Sequence, residues 1–252
     1  LGSGVASLSR GDIEDADAKL TRAQAFLPHD SVFRVRTEVA IARMQEVLSD
    51  TSGDAETVRA RFQDVLGSAV ALGKGATDYD QTNYQNWVTL GRVYEVIVPL
   101  RIEGAYENAK AAYERARSLN PKSPAMHLVL ARLDAAHGDL DAARGHLEEA
   151  IEMKGNYTEA IFALAQLEAQ EGNVQEAIAQ TEKVSLIAPN DMGVFFQLGF
   201  LRYTARDYVG AARALERTVF LNPVYANAKY FLGLSYAKLE RTDDAIAQFG
   251  DI

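Results

Sequence analysis

The chain has 252 residues, 48% of them apolar, which is enough for one large domain or two ordinary ones with a buried core. Its formal net charge of −9 argues against binding to nucleic acid or to an anionic membrane surface, because both need a basic face. The chain has no cysteine, which excludes disulfides and thiolate sites, and it has no run of about 20 apolar residues that could span a bilayer.

The first 83 residues predict helices in an irregular arrangement. Residues 1–30 contain the end of one helix and a complete second helix, and residues 31–83 form a longer unit. In this longer unit, the polar stretch from Ser49 to Asp54 separates two helical patterns. The first residue is not methionine, and the first three residues resemble the remnant of an affinity tag. We therefore expect the chain to be a piece of a longer protein.

From residue 84 onward the sequence predicts helix pairs that recur with a period of 34 residues. Three sets of equivalent positions, which we call columns, share this period. They are a small residue in the second helix, a leucine followed by a small residue in the first helix, and a proline or glycine in the turn between pairs. The predicted pairs occupy residues 84–123, 124–157, 158–191 and 192–225, followed by a truncated pair at 226–252. The columns are Ala109, Ala143, Ala177, Ala211 and Ala245; Leu130, Leu164, Leu198 and Leu232; and Pro121, Gly155, Pro189 and Pro223.

Each column has a physical reason. A leucine packs between the two helices of a pair, and the small residue after it allows the neighbouring helix to approach closely. Alanine in the second helix serves the same purpose and has the highest helix propensity. Proline ends a helix because it cannot donate a backbone hydrogen bond and disfavours helical backbone in the residue before it.

These columns resemble the signature of the tetratricopeptide repeat (TPR), which residues 84–123 match in order. The matching residues are Trp87, Leu90, Gly91, Tyr94, Gly104, Ala109, Tyr113, Ala116 and Pro121. The resemblance implies an all-α fold, a right-handed α-α superhelix of about six to seven helix pairs, with about thirteen helices and no sheet. One pair cannot bury its own apolar stripe, so neighbouring pairs must stack. The resemblance also implies a scaffold that binds another protein.

In TPR stacks the first helices line a concave groove, and the resemblance implies which residues face it. The predicted groove residues are Arg92, Leu128, Arg132, Phe162, Gln166, Phe196, Phe200, Tyr203 and Tyr230. They change along the chain from arginine to aromatic side chains, a composition typical of protein-binding hot spots. We expect the groove to bind a peptide or helix with an apolar face. Two alternatives remain: several of these aromatic residues belong to the core, or a segment of the longer protein covers the groove.

Other TPR chemistries are not indicated. Some TPR proteins clamp the carboxylate of a chaperone with lysine and asparagine, but other residue types occupy those positions here. The asparagine ladder of sugar-transferring TPR enzymes is missing for the same reason. The histidines lack the spacing of metal ligands, and no serine or lysine has partners for nucleophilic catalysis. We therefore expect no enzymatic activity, no metal and no cofactor.

Two features depart from the regular repeat. The eleventh position of the 34-residue repeat is tyrosine in the TPR pattern, but three repeats here have Asp134, Glu168 and Arg202 instead. These residues form either a row of charges between stacked helices or a solvated edge with ion pairs worth little energy, and we favour the solvated edge.

The second departure is a six-residue insertion, Val98–Glu103, after the first helix of the pair at 84–123. It predicts either a lengthened helix followed by a loop or an apolar protrusion of Val98, Leu100 and Ile102 that contacts a partner.

A wider resemblance rests on Asn83–Trp87, Leu90–Tyr94 and Val98–Leu100. With these segments the chain is similar to the soluble C-terminal TPR regions of bacterial polytopic membrane proteins related to O-antigen ligases and polymerases. The resemblance implies transmembrane helices before residue 1 and a regulatory or assembly role in cell-surface glycan transfer, with none of that family's catalytic residues in this chain. We also expect self-association through an exposed apolar end of the solenoid near Ile246 and Phe249.

Overall fold

The computed structural model describes residues 2–26, 28–50 and 54–250, and all regular structure in these ranges is helical. It contains fourteen α-helices and one short 3₁₀-helix, with no strand among the described residues, so the predicted all-α class is confirmed. The helix count exceeds the expected thirteen by one. The polar stretch after Ser49 lies partly outside the described residues, at 51–53. None of the described helices combines the length and the apolar character needed to cross a membrane.

The chain divides into two compact units, Leu1–Asp139 and Leu140–Ile252. In the first unit each helix packs on its neighbours in the sequence, and α3 also contacts α5. Its α-helices are α1 Gly2–Ser9, α2 Ile13–Phe26, α3 Asp30–Ser49, α4 Ala55–Tyr79, α5 Tyr84–Glu95, α6 Ala105–Leu119 and α7 Pro124–His137.

The second unit repeats this arrangement. Helices adjacent in the sequence pack on each other, and α11 also contacts α13. Its helices are α8 Leu140–Met153, α9 Thr158–Gln170, α10 Val174–Ile187, α11 Met192–Thr204, α12 Tyr208–Leu221, α13 Ala226–Lys238 and α14 Thr242–Gly250. Packing between sequence neighbours is the defining property of repeat proteins, in which each repeat buries the apolar face of the next.

Several helices begin where a polar side chain caps the first turn. The Asp54 carboxylate accepts a hydrogen bond of 2.9 Å from the Thr57 amide at the start of α4. The Asp191 carboxylate accepts bonds from the first-turn amides of α11, and Asp207 accepts one from the Gly210 amide in α12. These bonds satisfy amide groups that have no partner within the helix.

The small residue after the repeat leucine is required by close packing within a pair. A Cβ atom on Gly199 of α11 would lie 2.5 Å from Cγ of Leu215 in α12. A Cβ on Gly91 of α5 would lie 2.5 Å from Cε1 of Tyr113 in α6. Both distances are shorter than real carbon atoms adopt, so these two helix pairs could not approach as they do with a larger residue.

Left-handed backbone recurs every 34 residues, in the turns that follow alternate helices. Glycine occupies three of these turns, with φ of 74° at Gly104, 98° at Gly138 and 85° at Gly172. In the next two turns the same place is taken by Arg206, with φ of 64°, and by Glu240, with φ of 61°. A side chain in left-handed backbone costs about 1–2 kcal/mol, so these two turns are less favourable than the glycine turns.

The six-residue insertion does not lengthen α5, which ends at Glu95. It folds into a 3₁₀-helix over Val98–Leu100, followed by Arg101 in left-handed backbone with φ of 55°. Val98 is only 5% exposed and belongs to the core of the first unit, so it is not part of an exposed protrusion. The other two apolar residues of the expected protrusion are exposed, Leu100 by 44% and Ile102 by 37%.

The prediction of a solvated edge at the eleventh repeat position is wrong. Asp134 is fully buried and Glu168 is 4% exposed. Each carboxylate meets a basic residue of the preceding second helix: Lys110 lies 3.2 Å from Asp134, and Arg144 forms an ion pair with Glu168. A buried charge requires such a partner, because leaving it unpaired costs several kcal/mol, about 3–5 in measured cases.

In the next two repeats the eleventh position also makes a polar contact, and here its partner in the preceding helix is acidic. Arg202 pairs with Glu182 of α10, and the Tyr236 hydroxyl donates a 2.7 Å hydrogen bond to Glu216 of α12. Glu182 and Glu216 occupy equivalent places in consecutive repeats, as do Lys110 and Arg144. The eleventh position therefore joins a first helix to the second helix before it by a polar contact.

Replacement of Arg206 by glycine should stabilise the protein by about 1 kcal/mol, because glycine adopts the left-handed backbone of this turn without steric cost. Chemical denaturation measures the change. The matched control is Arg213→Gly in the interior of α12, which should destabilise the protein by about 1 kcal/mol. A loss of stability in Arg206→Gly would contradict this reading of the turn.

Stability at high pH should depend on Tyr236. Burial, helped by the hydrogen bond to Glu216, raises the pKa of Tyr236 to about 12, whereas an unfolded tyrosine titrates near 10. The folded state thus favours the protonated hydroxyl, and the stability this contributes is complete below pH 10 and is lost as the pH rises through 12. Tyr236→Phe should be less stable than the wild type by about 1 kcal/mol at pH 9.

The stability difference between wild type and Tyr236→Phe should narrow between pH 10 and 12. Urea denaturation at several pH values measures it. Tyr79→Phe, at a tyrosine that is 52% exposed, is the control and should show only a small difference at every pH. A difference for Tyr236→Phe that stays constant across this range would contradict the account.

Candidate protein-binding surface

The second unit carries a row of aromatic side chains on α11 and α13. In α11, Phe196, Phe200 and Tyr203 recur at intervals of four and three residues, which places them on one face of the helix. In α13, Phe231 contacts this row, and Tyr230 contacts Phe231. We call these five residues the aromatic face.

Phe231 contacts each of the other four rings of the aromatic face. Its ring centroid lies 5.1 Å from Phe200, 5.5 Å from Tyr230, 5.6 Å from Tyr203 and 6.2 Å from Phe196, in edge-to-face geometry each time. Edge-to-face pairs are favourable because the positive edge of one ring meets the negative face of the next. The four rings around Phe231 therefore have fixed positions.

The five side chains differ in exposure. Phe196, Tyr203 and Phe231 are partly buried and pack against the core formed by α12, α13 and α14. Phe200 is 38% exposed and Tyr230 is 49% exposed. The surface is thus anchored by three rings, and the other two offer apolar area to a partner.

Phe231 is the residue that the sequence reasoning missed. It occupies one of the positions that the chaperone clamp fills with asparagine, so the repeat pattern assigns it no role in an apolar groove. The signal available in the sequence was its place next to Tyr230, but adjacent residues point in different directions on a helix. Only the contact between α11 and α13 shows that Phe231 faces the aromatic row.

The aromatic face is uncharged on the side of α11. Arg202 is the single charged residue of that helix, and it pairs with Glu182 and donates a 3.3 Å hydrogen bond to the Gly210 carbonyl. Its charge is therefore directed to α10 and α12. The exposed rings of Phe200 and Tyr230 are not accompanied by a charge from α11.

Two predicted groove residues lie on α9. Gln166 is exposed, whereas Phe162 is partly buried and packs against the core cluster that contains Ile161, Val184 and Val194. Phe162 is thus partly a core residue, and only the rest of its side chain is accessible to a partner.

The remaining three predicted residues lie in the first unit. Arg132 is exposed, and Leu128 is only 5% exposed and offers little surface. Arg92 forms a 2.6 Å ion pair with Glu38 of α3. Burial raises the pKa of the Glu38 carboxyl, and the positive charge of Arg92 opposes that change.

Sequence comparison identifies the repeats independently. Two models of the tetratricopeptide repeat match the chain, one over residues 100–147 and 134–195 and the other over residues 196–252. Together they span residues 100–252, which is more than half of the chain. No curated protein matches the sequence.

Solved structures share the fold. Yeast Tom70 aligns with a TM-score of 0.65 at 16% identity, over 99% of this chain and 48% of its own. MamA from Desulfovibrio magneticus RS-1 aligns with a TM-score of 0.52 at 18% identity, over 64% of this chain and 91% of its own. YrrB, a TPR protein described as having an unusual peptide-binding site, aligns with a TM-score of 0.50 at 22% identity, over 73% of this chain and 95% of its own.

Replacement of Phe231 by alanine should destabilise the protein by about 3 kcal/mol, because it removes the ring that four other aromatic side chains contact. Replacement of Tyr230, whose side chain is half exposed, should cost less than about 1 kcal/mol. Urea denaturation of the two variants compares them. Equal losses of stability would contradict the distinction between the anchoring ring and the exposed ring.

Proposed function

Because the chain belongs to the tetratricopeptide-repeat family, whose fold is a general scaffold for protein–protein interaction, we propose that it binds a segment of another protein on the aromatic face of α11 and α13. The segment is a peptide or helix with an apolar side. TPR proteins are generally non-catalytic scaffolds, which agrees with a binding function.

The observation that carries this proposal is the exposure of Phe200 and Tyr230 on a rigid base. Both rings contact Phe231, which itself packs on the core. A ring that is already ordered loses little conformational freedom when a partner binds, so more of the buried apolar area contributes to affinity. Large aromatic side chains held in this way are the typical anchors of protein interfaces.

The one charged residue of α11 is already paired, which supports an apolar partner. Since Arg202 pairs with Glu182, an acidic or basic peptide gains no complementary charge from this helix. A segment that presents leucine, isoleucine, phenylalanine or methionine toward Phe200 and Tyr230 buries apolar area on both sides. Gln166 of α9, another predicted groove residue, has an exposed side chain with a donor and an acceptor for a peptide backbone.

A second candidate function is a regulatory or assembly domain of a membrane-bound protein that transfers cell-surface glycans. It rests on the resemblance of the segments around Trp87 and the insertion. In the structure the Trp87 indole donates a 2.9 Å hydrogen bond to the Gln81 carbonyl, and the Arg115 guanidinium lies 5.9 Å from its ring. The gene that encodes the natural protein separates the two candidates: apolar spans before residue 1 support the second, and their absence contradicts it.

The binding proposal is tested by selecting peptides of about twelve residues from a displayed random library on the immobilised protein. Affinities of the selected peptides are then measured by fluorescence anisotropy. Phe200→Ala and Tyr230→Ala should each weaken binding about tenfold, which corresponds to about 1.4 kcal/mol, while the variants stay folded. The selected peptides should be rich in apolar residues.

The matched control is Phe220→Ala. Phe220 is 74% exposed on α12, so the substitution removes a surface phenylalanine outside the aromatic face. It should leave affinity unchanged. Peptides that bind the Phe200 and Tyr230 variants as tightly as the wild type would overturn the proposal.

A further inference from the structure

The insertion lines a cavity in the first unit. The cavity has a volume of about 710 Å³ and is lined by the insertion, the first turn of α6 and the end of α7. The insertion is held in place by Val98, which is buried in the core. One wall of the cavity is therefore anchored in the core, and Ile102, another lining residue, is 37% exposed.

A stacked pair of rings forms part of the lining. Tyr106 of α6 and His137 of α7 lie parallel, with ring centroids 3.8 Å apart and an angle of 9° between their planes. The Tyr106 hydroxyl donates a 2.7 Å hydrogen bond to buried Asp134 and accepts one from Lys110, so its position is fixed. His137 is exposed, so the part of its ring that Tyr106 does not cover is accessible to a ligand.

The charges at the cavity favour a cation. Glu103 and Glu107 are exposed lining residues, and neither takes part in an ion pair within the part of the chain that the structure describes. Arg101 is the one arginine or lysine among the residues that line the cavity. Lys110 lies nearby, but its charge is balanced by Asp134 at 3.2 Å.

We propose that this cavity binds an arginine side chain of a partner protein, carried on a short segment with apolar neighbours. The planar guanidinium group stacks on the open face of His137, and its donors bond the carboxylates of Glu103 and Glu107. The apolar neighbours of the arginine pack on Ile102 and on Leu100, which is 44% exposed. Lysine fits less well, because an ammonium group is compact and cannot stack as a plane.

This site is independent of the aromatic face, since its residues all belong to the first unit. The two sites also bind different groups. The cavity takes a cation with apolar neighbours, whereas the aromatic face takes an uncharged apolar segment. The two proposals can therefore fail separately.

The test uses three fluorescein-labelled peptides, Leu-Arg-Leu-Arg-Leu, Leu-Lys-Leu-Lys-Leu and Leu-Glu-Leu-Glu-Leu, with binding to the full chain measured by anisotropy. The arginine peptide should bind at least tenfold more tightly than the glutamate peptide and several-fold more tightly than the lysine peptide. Amide NMR shifts caused by the arginine peptide should concentrate at residues 98–107 and 136–137. Equal affinities for the three peptides, or shifts elsewhere in the chain, would overturn the proposal.

Variants separate this site from the general attraction of an acidic protein for a basic peptide. Glu103→Gln combined with Glu107→Gln should lower the affinity for the arginine peptide about tenfold, and His137→Leu should remove the preference for arginine over lysine. The matched control, Glu148→Gln combined with Glu176→Gln, removes two exposed charges from α8 and α10 and should have little effect. Phe200→Ala should also leave this binding intact. An equal loss in the control variant would show only non-specific charge attraction and refute the site.

Discussion

Close approach between the two helices of a pair is the constraint on which the rest of this structure depends. It requires a small residue after the repeat leucine, because Cβ atoms at Gly91 or Gly199 would overlap a side chain of the second helix. Once the pairs form, each buries its remaining apolar stripe against the next pair in its unit. The regular spacing of first helices then allows side chains of α11 and α13 to meet as an ordered surface.

Much of the fold could be predicted from the period of 34 residues, because the spacing of leucine, small residue and proline reflects contacts that every repeat must make. The eleventh position could not be read correctly in this way. Asp134 and Glu168 look like surface residues by type, and they are buried because Lys110 and Arg144 of the preceding helices meet them. Those partners are 24 residues away in the sequence, a spacing that the repeat pattern does not indicate.

The candidate site shows the same limit. The spacing of Phe196, Phe200 and Tyr203 correctly predicts one face of α11, since it follows from helix geometry alone. The role of Phe231 depends on how α13 is rotated against α11, and a single helix does not contain that information. The shape of the insertion depends on Val98 entering the core, which turns an expected helix extension into a 3₁₀-helix beside a cavity.

We propose that the ordered rings of Phe200 and Tyr230 form the contact surface for an apolar protein segment. NMR mapping of the full chain with a selected apolar peptide tests it most directly. The largest shifts should fall on residues of α11 and α13, with the rings of Phe200 and Tyr230 among them. Shifts that fall instead on the second helices α10 and α12 would contradict it.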